Sequence, residues 1–387
     1  MPTSLKLMIV AGEPSGDAHA AALVRALKES TPDIDFEFFG ATGPLMRNED
    51  VETTVNSDSL AIMGIVEVSR VFSRFIKAFR TLKASALEKK PDAVVLVDWP
   101  EFNLRLATSL HRQGFKIVYY ISPQLWAWRS RRVKTIKRDV DLLLSILPFE
   151  EDWYKERGVE HIEFVGHPLS GEVKAQLDRN EFCEKYGLQP HKPIVSFLPG
   201  SRHKELVRIL PPMLDSIAVI SQKRPDTQFV VVVAPSRTLE EALGLVSQHD
   251  NAEELKSKVV LVHHATRDAL AASDVAAVAS GTATLEAALL GTPMVIVYKE
   301  SAINWHTLGR LIEVEHYGLV NLVAGKRLVT ELMQDDLTGE QLAVELLLLL
   351  DKERNTQLRL ELKDVAKALG ATGASQKAAA AILRELK

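Results

Sequence analysis

Two doubly wound parallel α/β sheets in tandem, followed by helices, are the architecture this sequence predicts. Three observations carry that expectation. Short apolar runs such as Ala93-Val94-Val95-Leu96-Val97 and Val275-Ala276-Ala277-Val278 do not alternate with polar residues, the pattern of strands buried on both faces. Helical segments separate these runs, which is the rhythm of parallel βαβ units. The rhythm pauses near residues 187–193, a linker-like stretch holding Pro190 and Pro193, and then restarts.

Taken in order, residues 5–11 read as the first strand, Gly12-Glu13-Pro14-Ser15-Gly16-Asp17 as a turn and 18–28 as a helix. A second strand is expected at 36–39 and a long helix at 68–87. The strand 93–97 ends in Asp98-Trp99-Pro100, a helix follows at 104–112, and strands at 116–121 and 142–146 lead to Val165-Gly166-His167-Pro168. In the second half, strands are expected at 194–198, 229–233, 259–262, 275–278 and 294–297, with helices at 203–221, 239–246, 267–272 and 283–290. Gly291 and Pro293 stop the last of these helices. The tail is helical from 342 onward, with a break at 370–373. The expected domains are 1–170, 171–345 and a helical 346–387.

Bulk properties narrow the function classes. The chain has 387 residues, 46% hydrophobic and 25% charged, as in an ordinary globular protein. A net charge of −4 carries no overall nucleic-acid signature. The single Cys183 forms neither an internal disulfide nor a zinc site, which suits a reducing compartment. No apolar run reaches the ~20 residues of a membrane-spanning helix, and the N-terminus runs straight into a strand pattern. A cytoplasmic protein, free to lie on a membrane surface, is expected.

Ligands of open parallel sheets bind beyond the carboxyl ends of the strands, so the candidate residues are the ones placed there. Gly12, Glu13, Ser15 and Gly16 follow the first strand without the spacing of a dinucleotide or P-loop motif. The glycines either permit a tight turn or leave room for a ligand beside the backbone. Asp98 follows a buried strand and reads as a general base, or else as a helix cap or ion-pair partner. In the second half, Gly200 permits close approach and Ser201-Arg202 offers donors to phosphate oxygens, with Glu205 one turn on to orient or pair with Arg202. Ser280-Gly281-Thr282 opens a helix whose unpaired N–H groups and dipole suit an anion, and Glu286 is placed to accept from a ribose diol. A bound nucleoside diphosphate is one reading of these two loops; an ordinary βαβ turn is the other. Asp139-Val140-Asp141 precedes its strand and reads as structural rather than metal-binding. His263 and His264, neighbours in an extended segment, are expected on opposite faces. No metal site and no cofactor are expected.

The stretch from Ile62 to Phe79 is apolar and basic by turns. Ile62, Met63, Ile65 and Val66 precede a helix that sets Val68, Val71, Phe72 and Phe75 at helical spacing against Arg70, Arg74 and Lys77. Such a pattern fits a membrane-surface helix or a core helix with a solvated basic face.

An ordered set of motifs resembles the lipid-A-disaccharide synthase family over essentially the full length. These are Ala11-Gly-Glu-Pro-Ser-Gly-Asp17, Tyr119-Tyr-Ile-Ser-Pro-Gln-Leu-Trp-Ala-Trp-Arg129, Leu147-Pro-Phe-Glu150, Val165-Gly-His-Pro168, Leu198-Pro-Gly-Ser-Arg202 and Ser280-Gly-Thr-Ala-Thr-Leu-Glu286. The resemblance implies a GT-B fold with two Rossmann-like domains facing a cleft, and inverting transfer from UDP-2,3-diacylglucosamine to 2,3-diacylglucosamine 1-phosphate (lipid X). It implies a peripheral location on the inner face of the inner membrane of a Gram-negative cell, which favours membrane contact by the stretch from Ile62 to Phe75. It further implies C-terminal helices that pack back on the first domain or exchange between chains of a homodimer. The family's base falls on Asp98, with Glu13 as the alternative carboxylate; its diphosphate arginine falls on Arg202 and its ribose carboxylate on Glu286. Leu319-Val320-Asn321 departs from the family's Leu-Pro-Asn, and Asn321 is kept as a nucleotide-side contact. Trp99 is larger than the family's usual residue there, so the acceptor side has its own shape. The rivals are another GT-B enzyme, such as a UDP-N-acetylglucosamine 2-epimerase, and a non-catalytic nucleotide-sugar-binding module.

Overall fold

The computed structural model describes residues 4–58, 68–301, 305 and 315–387. The chain forms two compact units, Met1–Pro168 with Gly370–Lys387, and Leu169–Leu369.

The first unit holds a seven-stranded sheet, ordered β3-β2-β1-β4-β5-β6-β7 and parallel throughout. Its strands are β1 Ser4–Ala11, β2 Asp35–Thr42, β3 Glu52–Asn56, β4 Ala93–Val97, β5 Ile117–Tyr120, β6 Leu142–Ser145 and β7 Ile162–Phe164. The central strands are apolar because both faces are covered: β4 and β5 are buried at every position. One face packs under the helices Pro14–Ser30 and Ala374–Glu385. The other packs under Val68–Lys89 and Pro100–His111. The edge strands β3 and β7 are short and partly polar, so no continuous apolar run announces them.

The second unit holds a six-stranded parallel sheet, ordered β10-β9-β8-β11-β12-β13. Its strands are β8 Ile194–Leu198, β9 Gln228–Val233, β10 Val259–His263, β11 Val275–Ala279, β12 Met294–Tyr298 and β13 Glu331–Met333. The helices His203–Lys223 and Gly339–Leu349 close one face over a core of Val, Leu, Ile and Phe side chains.

Two boundaries differ from the sequence expectation. Residues 187–193 are not the linker. The helix Arg179–Tyr186 ends at Gly187 in the left-handed conformation, a glycine C-cap. Arg179 then ties that segment to the sheet by donating to Asp274 and to the carbonyls of Ala272, Pro190 and Lys192. The helix Lys352–Ala368 stays with the second unit, where Arg359 donates to the carbonyls of Gly291, Ser273 and Asp274. Only the segment from Gly370 belongs to the first unit.

Of the expected membrane-contact residues, Ile62, Met63, Ile65 and Val66 lie outside the described residues. Val68, Val71 and Phe72 fall on the helix Val68–Lys89, of which only the backbone is described at those positions. Phe75 is half-buried, with its ring against Trp99 and Phe102, while its neighbour Ile76 is exposed. Among the described residues, no helix is long and apolar enough to cross a membrane.

Candidate active site

Each sheet reverses its strand order once, between β1 and β4 in the first unit and between β8 and β11 in the second. Loops leaving such a pair of strands diverge to opposite faces and open a crevice. Apart from Asn321, the candidate polar residues lie on these four loops or the first turns of the helices that follow them.

In the first unit, Asp98 and Trp99 are both left-handed, with φ of 51° and 52°. Two consecutive non-glycine residues in this region are strained and need support from their surroundings. Asn103 Nδ2 supplies it by donating to the carbonyls of Asp98 at 2.8 Å and Val97 at 3.2 Å. The Tyr119 hydroxyl donates to the same Asp98 carbonyl at 2.7 Å. The Asp98 backbone is therefore fixed at the strand end rather than free on a loop. Burial, and the nearby Glu13 carboxylate, push its pKa up to about 6. A carboxylate in that state is poised to accept a proton near neutral pH.

Gly12 has a different purpose from the one the ligand reading gave it. A Cβ there would sit 2.1 Å from the Trp99 indole, so the missing side chain makes room for Trp99 and not for a ligand. Gly16 is buried, and a Cβ would meet only ordinary contacts near 3.6 Å. Glu13 and Ser15 are exposed at the head of the helix Pro14–Ser30. Asp17, the last residue of that motif, is buried and accepts from the N–H groups of Gly43, Leu45 and Met46, capping the short helix that follows β2.

Glu150 was quoted only as part of a motif, yet it organises a third strand end. It is buried and accepts from the Ser122 hydroxyl at 2.6 Å, the Trp126 indole at 2.9 Å and the Leu147 N–H at 3.2 Å. Burial pushes its pKa up to about 7. His167 is buried too, and burial together with His19 holds its pKa down near 4, so it is neutral.

In the second unit, Ser201, Arg202, Glu205, Ser280, Gly281, Thr282 and Glu286 line one cavity of about 360 Å³. Gly281 has φ of 150°, where side chains are disfavoured, and nothing lies within 4 Å of the place a Cβ would occupy. The helix Thr282–Leu289 starts there without a side-chain cap, leaving its first N–H groups to the cavity. Glu205 accepts from the N–H groups of Ser201 and Arg202 and from the Arg202 guanidinium at 3.0 Å. It thus caps its own helix and steadies Arg202, whose side chain is 82% exposed. Glu286 Oε1 accepts from Arg267 at 3.0 Å, while its other oxygen makes no hydrogen bond among the described residues. A second cavity of about 370 Å³ shares Glu286, Thr266 and Pro235 and adds Lys174, His264 and Arg267. Arg267 was not singled out in the sequence; its position one residue into a short helix gave no signal.

Asn321 is a correction. It is fully buried and lines neither cavity. Its amide donates to Val329 and Glu331 and accepts from Val329. Glu331 in turn accepts from the N–H groups of Tyr317 and Gly318, and the Tyr317 carbonyl accepts from the Ser280 hydroxyl. Asn321 supports the cavity wall through that chain. The two histidines are another correction: His264 is left-handed, which turns its ring onto His263 with centroids 3.9 Å apart. The described residues contain no cluster of metal-ligating side chains. Asp139 accepts from Thr108 and Arg138, and Asp141 from the Ile117 N–H, both structural.

A family model described as Lipid-A-disaccharide synthetase matches residues 7–384. The chain is 42% identical over 382 residues to the lipid-A-disaccharide synthase of Trichlorobacter lovleyi, covering 98% of this chain and 97% of that protein. It is 41% identical over 367 residues to the one of Nitrosococcus oceani, covering 94% and 92%. Solved structures share the fold at much lower identity. The glycosyltransferase of kitacinnamycin superimposes with a TM-score of 0.63 at 16% identity, covering 100% of both chains. The UDP-N-acetylglucosamine 2-epimerase of Neisseria meningitidis, bound to UDP-N-acetylglucosamine, gives 0.60 at 12%, covering 98% of this chain and 100% of that one. With a family match along almost its whole length and two doubly wound sheets of the GT-B class, the chain belongs to the lipid-A-disaccharide synthase family, glycosyltransferases of lipid A biosynthesis.

Proposed function

We propose that this chain joins UDP-2,3-diacylglucosamine to lipid X, giving the lipid A disaccharide 1-phosphate and UDP with inversion at the anomeric carbon. Asp98 takes the proton of the acceptor's 6-hydroxyl. The oxygen forms a bond to the anomeric carbon from the face opposite UDP, and the bond to the diphosphate breaks with its electron pair leaving on UDP. Arg202 and the N–H groups at Gly281–Thr282 meet the charge that develops on the diphosphate. Glu286 accepts from the ribose, steadied by Arg267 on its other oxygen.

The observation that carries this reading is the Asp98 carboxylate, held at a strained strand end with its pKa pushed to about 6. A nucleotide-binding module has no use for such a group. The exposed Ile76 and the exposed Arg74, Lys77 and Arg80 around it support contact with an anionic membrane surface, where both acylated substrates would reside. The test is incubation of the purified protein with both acylated substrates in detergent, followed by NMR of the product's glycosidic linkage. A β-linked disaccharide 1-phosphate is expected. Turnover of UDP-N-acetylglucosamine without lipid would reassign the chain as an epimerase, and UDP binding without any turnover would reduce it to a binding module.

A further inference from the structure

We infer that the cavity between the helices Val68–Lys89 and Pro100–His111 seats an acyl chain of the acceptor, with the acceptor's phosphate on the arginines beside it. This rests on the transferase reading above and assigns its acceptor subsite.

The cavity measures about 530 Å³, within the ~300–1,000 Å³ of small-ligand sites. Phe75, Ile76, Phe79 and Phe102 supply its apolar walls. An open cavity walled by aromatic rings leaves apolar surface in water, which a monomeric surface seldom does without a ligand to cover it. Its rim is basic: Arg80, Lys83 and Arg105 line it, and Arg80 and Lys83 have no ion-pair partner among the described residues. A second cavity of about 330 Å³ shares Glu101 and Arg105 with the first and adds Arg132. There Glu101 accepts from both Arg129 and Arg132, and the Arg132 hydrogen bond, helped by the charges of Arg129 and Arg105, holds its carboxyl below the usual range. Three guanidiniums against one carboxylate leave that end positive. An apolar slot opening onto an arginine cluster has the chemistry of an amphiphile with a fatty chain and a phosphate.

The acceptor, not the nucleotide donor, is the occupant, because of where the cavity lies. It belongs to the unit that carries Asp98. Its wall residue Phe102 stacks on Trp99 at 4.1 Å between centroids, and Phe75 touches the same indole at 5.6 Å. Trp99 is the residue after Asp98. A chain seated between Phe75 and Phe102 therefore anchors its sugar to the strand end that bears the carboxylate.

The test uses lipid X analogues with short, medium and long acyl chains below their micelle concentrations. It measures direct binding by calorimetry and transfer by kcat/KM. Each methylene buried in the cavity should tighten binding about fourfold until the slot is full. Ile76→Trp, which fills the slot from its exposed wall, should weaken the long-chain analogue by roughly thirtyfold and leave the shortest within about twofold. Arg105→Ala should weaken phosphorylated analogues by about tenfold or more and leave dephosphorylated ones within about twofold. Unchanged UDP affinity in both variants reports intact folding. Parallel chain-length slopes in the parent and Ile76→Trp would overturn the inference. So would loss of phosphatidylglycerol-vesicle binding by Ile76→Trp with the slope intact, which would make the slot a seat for a membrane lipid. Failure of transfer by the parent, with the chain-length binding slope present, would instead remove the transferase reading and leave the acyl site standing.

Discussion

The two sheets reverse strand order at equivalent places, yet their crevices are opposites. Beyond β1 and β4 the space is filled. The Trp99 indole lies over Gly12, and the Asp98 carbonyl accepts from Asn103 and Tyr119. Beyond β8 and β11 the space is open, with Gly281 facing a cavity and Arg202 extended into solvent. The crowded end removes a carboxylate from water and raises its pKa. The open end keeps backbone N–H groups and a guanidinium available for a charged ligand. Topology chooses where a crevice falls; the bulk of a few side chains decides whether its chemistry suits proton transfer or anion binding.

Asp98→Asn should break the crowded end most severely. Loss of a general base typically costs 10²–10⁴-fold in kcat, while calorimetry should find UDP affinity unchanged. The same substitution should stabilise the protein. With its folded pKa raised to about 6, Asp98 holds its proton more tightly in the folded state than in the unfolded chain. Stability is then lost as pH rises from the ordinary carboxylate value through about 6. The variant should melt higher than the parent at neutral pH, with the gain vanishing toward about pH 4. For the parent, kcat/KM should fall about tenfold per unit below pH ~6 as the base protonates. A flat acid limb would take the role from Asp98.

Arg202→Ala acts on the open end. It should weaken UDP by about 10–100-fold, the cost of a charge-assisted contact, without changing acceptor affinity; calorimetry with each ligand separates the two. The paired glycines sharpen the contrast further. Gly12→Ala must push Trp99 off its seat, and should lower kcat/KM by about tenfold or more with UDP affinity intact. Gly281→Ala meets no neighbour but puts a side chain at a disfavoured φ, at about 1–3 kcal/mol, and should loosen UDP by about tenfold. If both alanines damaged the same step, the division between the two ends would fail. The smallest effect is expected from Asn321→Ala. Losing its buried hydrogen bonds should cost about 1–3 kcal/mol of stability by thermal melting, with UDP affinity changed less than about twofold.

The central strands were readable because burial on both faces demands unbroken apolar runs. The edge strands β3, β7 and β13 were not, because an edge carries Glu52, Thr53 and Glu331 as readily as Val. In the second unit, the sequence singled out Arg202, Glu205, Ser280 and Glu286 because they fall on the loops and first helical turns after two buried strands, and the fold brings those turns to one cavity. Gly12 misled because its partner Trp99 is remote in the chain, and a missing Cβ looks the same whether a ligand or an indole takes the space. Asn321 misled for a related reason: its partners Val329 and Glu331 arrive only when the chain turns back. Tyr119 was inside a quoted motif and Asn103 was not singled out, but the purpose of both, supporting a strained carbonyl, exists only in three dimensions.

The helix Ala374–Glu385 sets an order of events during synthesis. Ala378, Ala379, Ala381, Ile382 and Leu383 form part of the first unit's core, against strands made at the very start of translation. The second unit uses no residue beyond Leu369, so it can close while the first is still incomplete. Until the chain has grown past Leu383, the earlier half keeps an apolar flank bare, the state in which nascent chains call on chaperones. Chains truncated between Leu369 and Leu383 should therefore carry a protease-resistant second unit and a protease-sensitive first one.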